Sequence, residues 1–131
     1  MTRSYVEQKS IRNHALYRNS NSLLGQLDIE LTERCNNNCI HCYINLPADD
    51  RLAQKKELTA GEIKGVLREA ASLGCAAVRF TGGEPLLRDD FEELYIFSRR
   101  LGLRVIIYTN ATLISRGLAE LFSRLPPLNK I

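Results

Sequence analysis

The chain has 131 residues, 44% of them hydrophobic and 25% charged, with a formal net charge of +3. That size and balance suit one modest domain with a real core and exclude a disordered, collagenous or disulfide-rich class. No apolar run approaches the ~20 residues of a membrane span, the N-terminus lacks a signal peptide's apolar segment, and three of the four cysteines crowd into one loop, so a reducing cytoplasm is the expected location.

The positive charge is localised. Residues 1–26 hold Arg3, Lys9, Arg12 and Arg18 against Glu7 alone, while the remainder is balanced. Four dispersed cations without stacking aromatics make a weak nucleic-acid footprint, so 1–26 reads as a basic, solvated leader and 27–131 as the folded core, with the boundary near Gly25.

Leu27, Ile29 and Leu31 alternate with Asp28, Glu30 and Thr32, the period of a strand. That strand delivers the run Cys35-Asn36-Asn37-Asn38-Cys39-Ile40-His41-Cys42. Clustered thiolates select zinc, Cu(I) or iron–sulfur iron over calcium and magnesium. The three Asn tolerate left-handed backbone, which lets the loop wrap tightly and offer N–H groups to sulfur. Gaps of three and two residues without a second knuckle are unlike a structural zinc site, and three ligands leave a coordination position open. His41 lies between two of the cysteines and is poorly placed to aim its ring at the same centre. Glu30, Glu33 and Arg34 flank the strand and read as a solvated, charged face.

Thr59-Ala60-Gly61-Glu62 is a capping box, after which Ile63, Val66, Leu67, Ala70 and Ala71 recur at helical spacing until Gly74. Cys75, the remaining thiol, reads as a small buried hydrophobe or as a fourth ligand that would close the metal site. A second strand over 76–81 runs into Gly82-Gly83-Glu84-Pro85, in isolation a tight strand-to-helix turn. Asp89 or Asp90 caps a helix carrying Phe91, Leu94, Tyr95 and Leu101 on one face. A near-continuous apolar strand over 103–108 then precedes Thr109-Asn110, and an amphipathic helix from about Ser115 to Leu125 is halted by Pro126-Pro127. Leu128-Asn129-Lys130-Ile131 reads as the opening of a fourth strand.

Strand, loop, helix, repeated three times, predicts an α/β fold of parallel strands joined by right-handed crossovers. Working residues in such folds lie beyond the C-terminal strand ends, where Cys35, Gly82-Gly83-Glu84-Pro85 and Thr109-Asn110 all fall.

Cys35, Cys39 and Cys42 in C-x3-C-x2-C spacing, followed by Tyr43 and later by Gly82-Gly83-Glu84-Pro85, resemble the signatures of the radical S-adenosylmethionine (radical SAM) enzymes. The resemblance implies that the three cysteines hold three irons of a [4Fe-4S] cluster and that S-adenosylmethionine chelates the fourth. It implies reductive cleavage of that cofactor to a 5′-deoxyadenosyl radical, with electrons from a reductant such as flavodoxin or ferredoxin. Gly82, Gly83 and Glu84 would surround the methionine moiety, His41 or Tyr43 would pack against adenine, and Asn110 would belong to the cofactor pocket. Ala111 stands where the family's Thr-Asn-Gly usually has Gly, which puts the local backbone in question.

The resemblance covers about half of the family's partial TIM-like (β/α) barrel. A truncated or split enzyme with little activity alone is therefore expected, with a complementary chain as a partner that would complete the barrel. A second reading, from another class, is a non-catalytic metal-binding module: a zinc or iron–sulfur site closed by Cys75, serving structure, electron transfer or partner docking.

Overall fold

The computed structural model describes residues 24–128. Most of the basic leader, and the expected fourth strand apart from Leu128, lie outside the described residues. Strand β1 (Gln26–Thr32) is followed by the short β2 (Arg34–Cys35), the cysteine loop, β3 (Leu46–Pro47) and helix α1 (Arg51–Lys56). Helix α2 (Ala60–Ser72), strand β4 (Ala77–Gly82), a 3-10 turn (Pro85–Leu87), helix α3 (Phe91–Arg100), strand β5 (Arg104–Ile107) and helix α4 (Arg116–Arg124) complete the order.

Both pairings in the main sheet are parallel, in the order β1-β4-β5, with Leu27 opposite Val78, Ile29 opposite Phe80, and Phe80 opposite Ile107. One face of this sheet is apolar. Leu31, Val78, Phe80, Val105 and Ile107 pack there with Ile63 and Leu67 of α2, Phe91, Leu94 and Tyr95 of α3 and Leu118 of α4. Phe80 and Leu94 are fully buried, and each side chain of that kind contributes about 1.5–3 kcal/mol relative to an exposed position. The other face carries Asp28, Glu30, Arg79 and Thr81.

The helices begin where their caps dictate. The Thr59 hydroxyl accepts from Glu62 N while the Glu62 carboxylate accepts from Thr59 N at 2.8 Å, so the expected capping box is present. Ser115 caps α4 by accepting from Leu118 N. Asp90 precedes α3 but makes no capping bond, because its carboxylate is taken by Arg88 at 2.6 and 2.8 Å. Gly74 and Gly102, just past α2 and α3, adopt φ values of 81° and 82°, the left-handed turn that favours glycine at a helix end.

Three small elements were not anticipated from the sequence. Helix α1 is six residues long, too short for a periodic signal, and is started by Asp50, whose carboxylate accepts from Leu52 N and Ala53 N. The β2–β3 pair, Arg34 opposite Leu46 and Cys35 opposite Pro47, closes the base of the cysteine loop. The 3-10 turn is started by Glu84, which accepts from Leu86 N. On the far edge of β5, Leu128 N donates to Val105 O at 2.7 Å, so the segment after α4 returns to the sheet.

Candidate functional site

Three strand ends meet at one edge of the fold. Past β1, Arg34 O accepts from Glu84 N at 2.8 Å, and Thr32 O accepts from Gly83 N at 2.8 Å, so the β1–β4 pairing continues into Gly82-Gly83-Glu84. This approach needs glycine twice. A Cβ on Gly82 would stand 2.2 Å from Thr32 O, and one on Gly83 would stand 2.3 Å from Arg34 O. Gly82 also has φ +129°, where side chains are strained. The glycines therefore seat this turn against the backbone that delivers Cys35.

Glu84 is fully buried. One carboxylate oxygen accepts from Thr109 Oγ1 at 2.8 Å and from Leu86 N at 2.9 Å, and the other accepts from Asn110 N at 2.8 Å. A buried carboxylate is tolerated only when its lone pairs are satisfied, and here the partners bind the end of β4 to the end of β5. Asn110 Nδ2 donates to Asn36 Oδ1 at 2.8 Å, and Asn36 Nδ2 donates to Thr112 Oγ1 at 2.8 Å. The Asn-rich loop is thus clasped to the third strand end. Ala111, at the tip of this turn, is the one non-glycine residue with positive φ among the described residues, at 62°; Asn and Gly are the usual occupants of that conformation.

Beneath the loop lies a charged network that sequence reasoning missed. Arg34 was expected on a solvated face but is buried. Its guanidinium donates to Glu57 at 2.7 and 3.2 Å and to Ala48 O at 2.9 Å, while Glu57 also accepts from Thr32 Oγ1 at 2.5 Å. Arg88, likewise buried, lies 3.5 Å from Glu57, donates to Leu31 O at 3.1 Å and chelates Asp90. Burial pushes the Glu57 carboxyl up, and the hydrogen bonds and charges of Arg34, Thr32 and Arg88 outweigh it, leaving the group below its ordinary range. The hydrogen bond from Arg88 lowers Asp90 in the same sense. The only hint in the sequence was an Arg beside the first cysteine, since Glu57 and Arg88 are distant in the chain.

All four cysteines are free thiols; Cys35 is half-buried, Cys39 and Cys42 are exposed, and Cys75 is buried. Cys42 N donates to Cys39 O at 3.0 Å, which folds that segment into a turn. The sulfurs themselves are not gathered to one point: Cys35 Sγ accepts from Asn37 N at 3.4 Å, the Cys42 thiol donates to Ile44 O at 3.3 Å, and among the described residues no three His, Cys, Asp or Glu side chains form a group able to hold a metal ion. The three cysteines thus share one loop, with the sulfurs of Cys35 and Cys42 turned to local backbone partners.

Cys75 does not belong to this loop. It precedes β4, donates to Ala77 O at 3.0 Å and lies near Gly25 O, at the N-terminal end of the strands. The length of β1, about 20 Å at ~3.3 Å per residue, separates it from Cys35, so it cannot serve as the fourth ligand. Tyr43 is 90% exposed and lines a cavity of about 540 Å³ with Cys42, Ile44, Gly82, Tyr108 and the polar face of the sheet. His41 is exposed and is not among the residues lining that cavity.

The match to known proteins decides the family. The sequence pattern of the Radical SAM superfamily matches residues 29–131. The chain belongs to the radical SAM superfamily. Proteins of this superfamily use a [4Fe-4S] cluster and S-adenosylmethionine. The chain is 41% identical over 90 residues to an Fe-coproporphyrin III synthase of Methanosarcina barkeri, covering 69% of this chain and 22% of that protein. It is 40% identical over 89 residues to a probable GTP 3′,8-cyclase of Methanothermobacter thermautotrophicus, covering 67% and 28%. A PqqA peptide cyclase of Bradyrhizobium diazoefficiens is 39% identical over 88 residues, covering 67% and 22%. The chain thus spans about a quarter of the length of these relatives. The donor chemistry fits a radical SAM cluster: three soft thiols outside any disulfide lie on one loop whose base is pinned, beside a glycine turn with no room for side chains.

Proposed function

We propose that Cys35, Cys39 and Cys42 ligate the cluster and that Gly82 and Gly83 present backbone to the methionine end of S-adenosylmethionine. When bound, this pair supplies a 5′-deoxyadenosyl radical by reductive cleavage. The chain's own part is ligation, orientation and shelter. Asn36, Asn37 and Asn38 shape the loop, Tyr43 offers an aromatic face for adenine, and Asn110 holds the loop against the third strand end. Glu84 acts as a positioning residue, since both its oxygens are engaged in fastening β4 to β5. His41, exposed in the same loop, is the alternative residue to face adenine.

The observation that carries this reading is the meeting of the cysteine loop, the glycine turn and Asn110 at one edge of a parallel sheet, within the superfamily match. The three strands form a segment of a partial barrel, which further strands, on this polypeptide or a complementary one, would complete. We place the protein in the cytoplasm, where thiols stay reduced and a flavodoxin or ferredoxin is available; no helix among the described residues is long and apolar enough to cross a membrane.

Anaerobic reconstitution followed by iron and sulfide analysis and optical spectra tests the assignment. About four irons per chain, a charge-transfer band perturbed by S-adenosylmethionine, and loss of both on replacing Cys35, Cys39 or Cys42 with Ala are expected, with Cys75→Ala unchanged. A colourless protein holding one zinc would overturn it.

A further inference from the structure

The face of the sheet turned away from the helices carries polar side chains that neither the cluster loop nor the glycine turn uses. The strand register sets Asp28 beside Arg79 and Glu30 beside Thr81. Arg79 pairs with Asp28, donates to Tyr108 OH at 3.2 Å, and stacks its guanidinium 4.8 Å from the Tyr108 ring centre. Asp28, Glu30, Arg79, Thr81 and Tyr108 all line the 540 Å³ cavity that Cys42, Tyr43 and Gly82 also touch.

A parallel barrel normally fills its interior with branched apolar side chains in successive layers. Two adjacent layers here present charge instead, so this wall is built for a polar occupant. Its polarity is one-sided. Asp28 neutralises Arg79, and both terminal amino groups of Arg79 are already engaged by Asp28 and Tyr108, which leaves the arginine poorly placed to take an anion. The Glu30 side chain is exposed and has no hydrogen-bond or ion-pair partner among the described residues. With the Tyr43 ring assigned to adenine, the available groups are therefore one carboxylate and the Thr81 hydroxyl beside it, a set that suits a cation bearing N–H donors and repels phosphate.

We propose that this wall is a substrate-recognition site for a primary amine or similar cationic donor, anchored by Glu30, and that it disfavours phosphate-bearing molecules. The assignment as a substrate site rests on the radical SAM reading above, through the cavity's contact with Cys42 and Gly82, but the binding itself requires no cluster. S-adenosylmethionine also carries cationic groups, so the test separates the two sources.

Isotope-labelled chain is titrated with N-acetyl-lysine methylamide, its norleucine counterpart, tripolyphosphate and S-adenosylmethionine, following the backbone amide resonances of Glu30 and Thr81. The lysine compound is expected to shift them saturably at concentrations at least about tenfold below those the norleucine compound needs. Glu30→Gln is expected to erase that preference, and Glu33→Gln, an exposed acid outside the cavity, to retain it. Shifts of the same amides by tripolyphosphate, an undiminished preference in Glu30→Gln, or, on the cluster-free chain, saturation by S-adenosylmethionine ahead of the lysine compound would each overturn the proposal. Iron analysis of the same preparation after anaerobic reconstitution reads the cluster assignment separately, so a chain that then takes up no iron yet keeps the lysine response would sink only that assignment.

Discussion

A single hydrogen atom in place of a side chain decides how close the glycine turn comes to the cysteine strand. With Arg34 O only 2.3 Å from where a Gly83 Cβ would lie, and Glu33 O 2.9 Å away, the obstacle is backbone and cannot rotate aside. Gly83→Ala is expected to cost about 1–3 kcal/mol, the usual range for overpacking, read as a lowered urea midpoint, and to weaken iron retention because Arg34 and Cys35 move with the displaced strand end. Ala111 poses the opposite case. Its φ of 62° carries about 1–2 kcal/mol of left-handed strain for an L-residue, against which glycine loses about 0.4–1 kcal/mol through greater freedom of the unfolded chain. Ala111→Gly is therefore expected to stabilise the protein by up to about 1.5 kcal/mol, measurable as a raised midpoint with an unchanged slope.

Between elements, the charged network of Arg34, Glu57, Arg88 and Asp90 ties β2, the end of α1 and the 3-10 turn together. The Glu57 carboxyl lies below its ordinary 4.5 and that of Asp90 below 3.8. Because both are depressed by folding, their stabilisation is complete above those values and drains as the pH falls through the lower, folded ones. Urea midpoints are expected to hold steady from neutral pH down to the mid-fours and then decline. Glu57→Gln leaves Arg34 without its buried counter-charge; it is expected to cost about 3 kcal/mol near neutrality and to flatten the acid decline. This network was illegible in the sequence, because its partners are brought together by α1, whose six residues give no periodicity, and by a turn that reads locally as Gly and Pro punctuation. The longer elements were legible for the converse reason. The capping box at Thr59, the alternation over 27–32 and the apolar run over 103–108 each state their own structure, and their order fixes a parallel sheet.

At the scale of the molecule, the same logic explains which parts of the site could be anticipated. C-x3-C-x2-C and Gly82-Gly83-Glu84-Pro85 are contiguous, so their position past strand ends follows from topology alone. The inward turn of Glu84, the clasp between Asn36 and Asn110 and the local partners of the Cys35 and Cys42 sulfurs depend on side-chain geometry that spacing does not encode. Three strands wall the cavity on one side, with its Asp28–Arg79–Tyr108 floor open to solvent. On the reading proposed above, S-adenosylmethionine would be held from one side only, so the chain by itself is expected to bind it weakly and to form little 5′-deoxyadenosine under dithionite in an anaerobic assay, even with its cluster assembled. Abundant turnover by the lone chain would contradict this.

The pairing of Arg34-Cys35 with Leu46-Pro47 makes the cysteine segment a ring before any metal arrives. Joining the ends of a free loop carries an entropic cost that grows with the logarithm of its length, and in this fold the main sheet, Glu57 and the β2–β3 pair meet that cost during folding. The thiols of Cys35, Cys39 and Cys42 consequently stay at high mutual concentration, and in the cluster assembly proposed above side-chain rotation, rather than a search by the chain, would be the step left to complete.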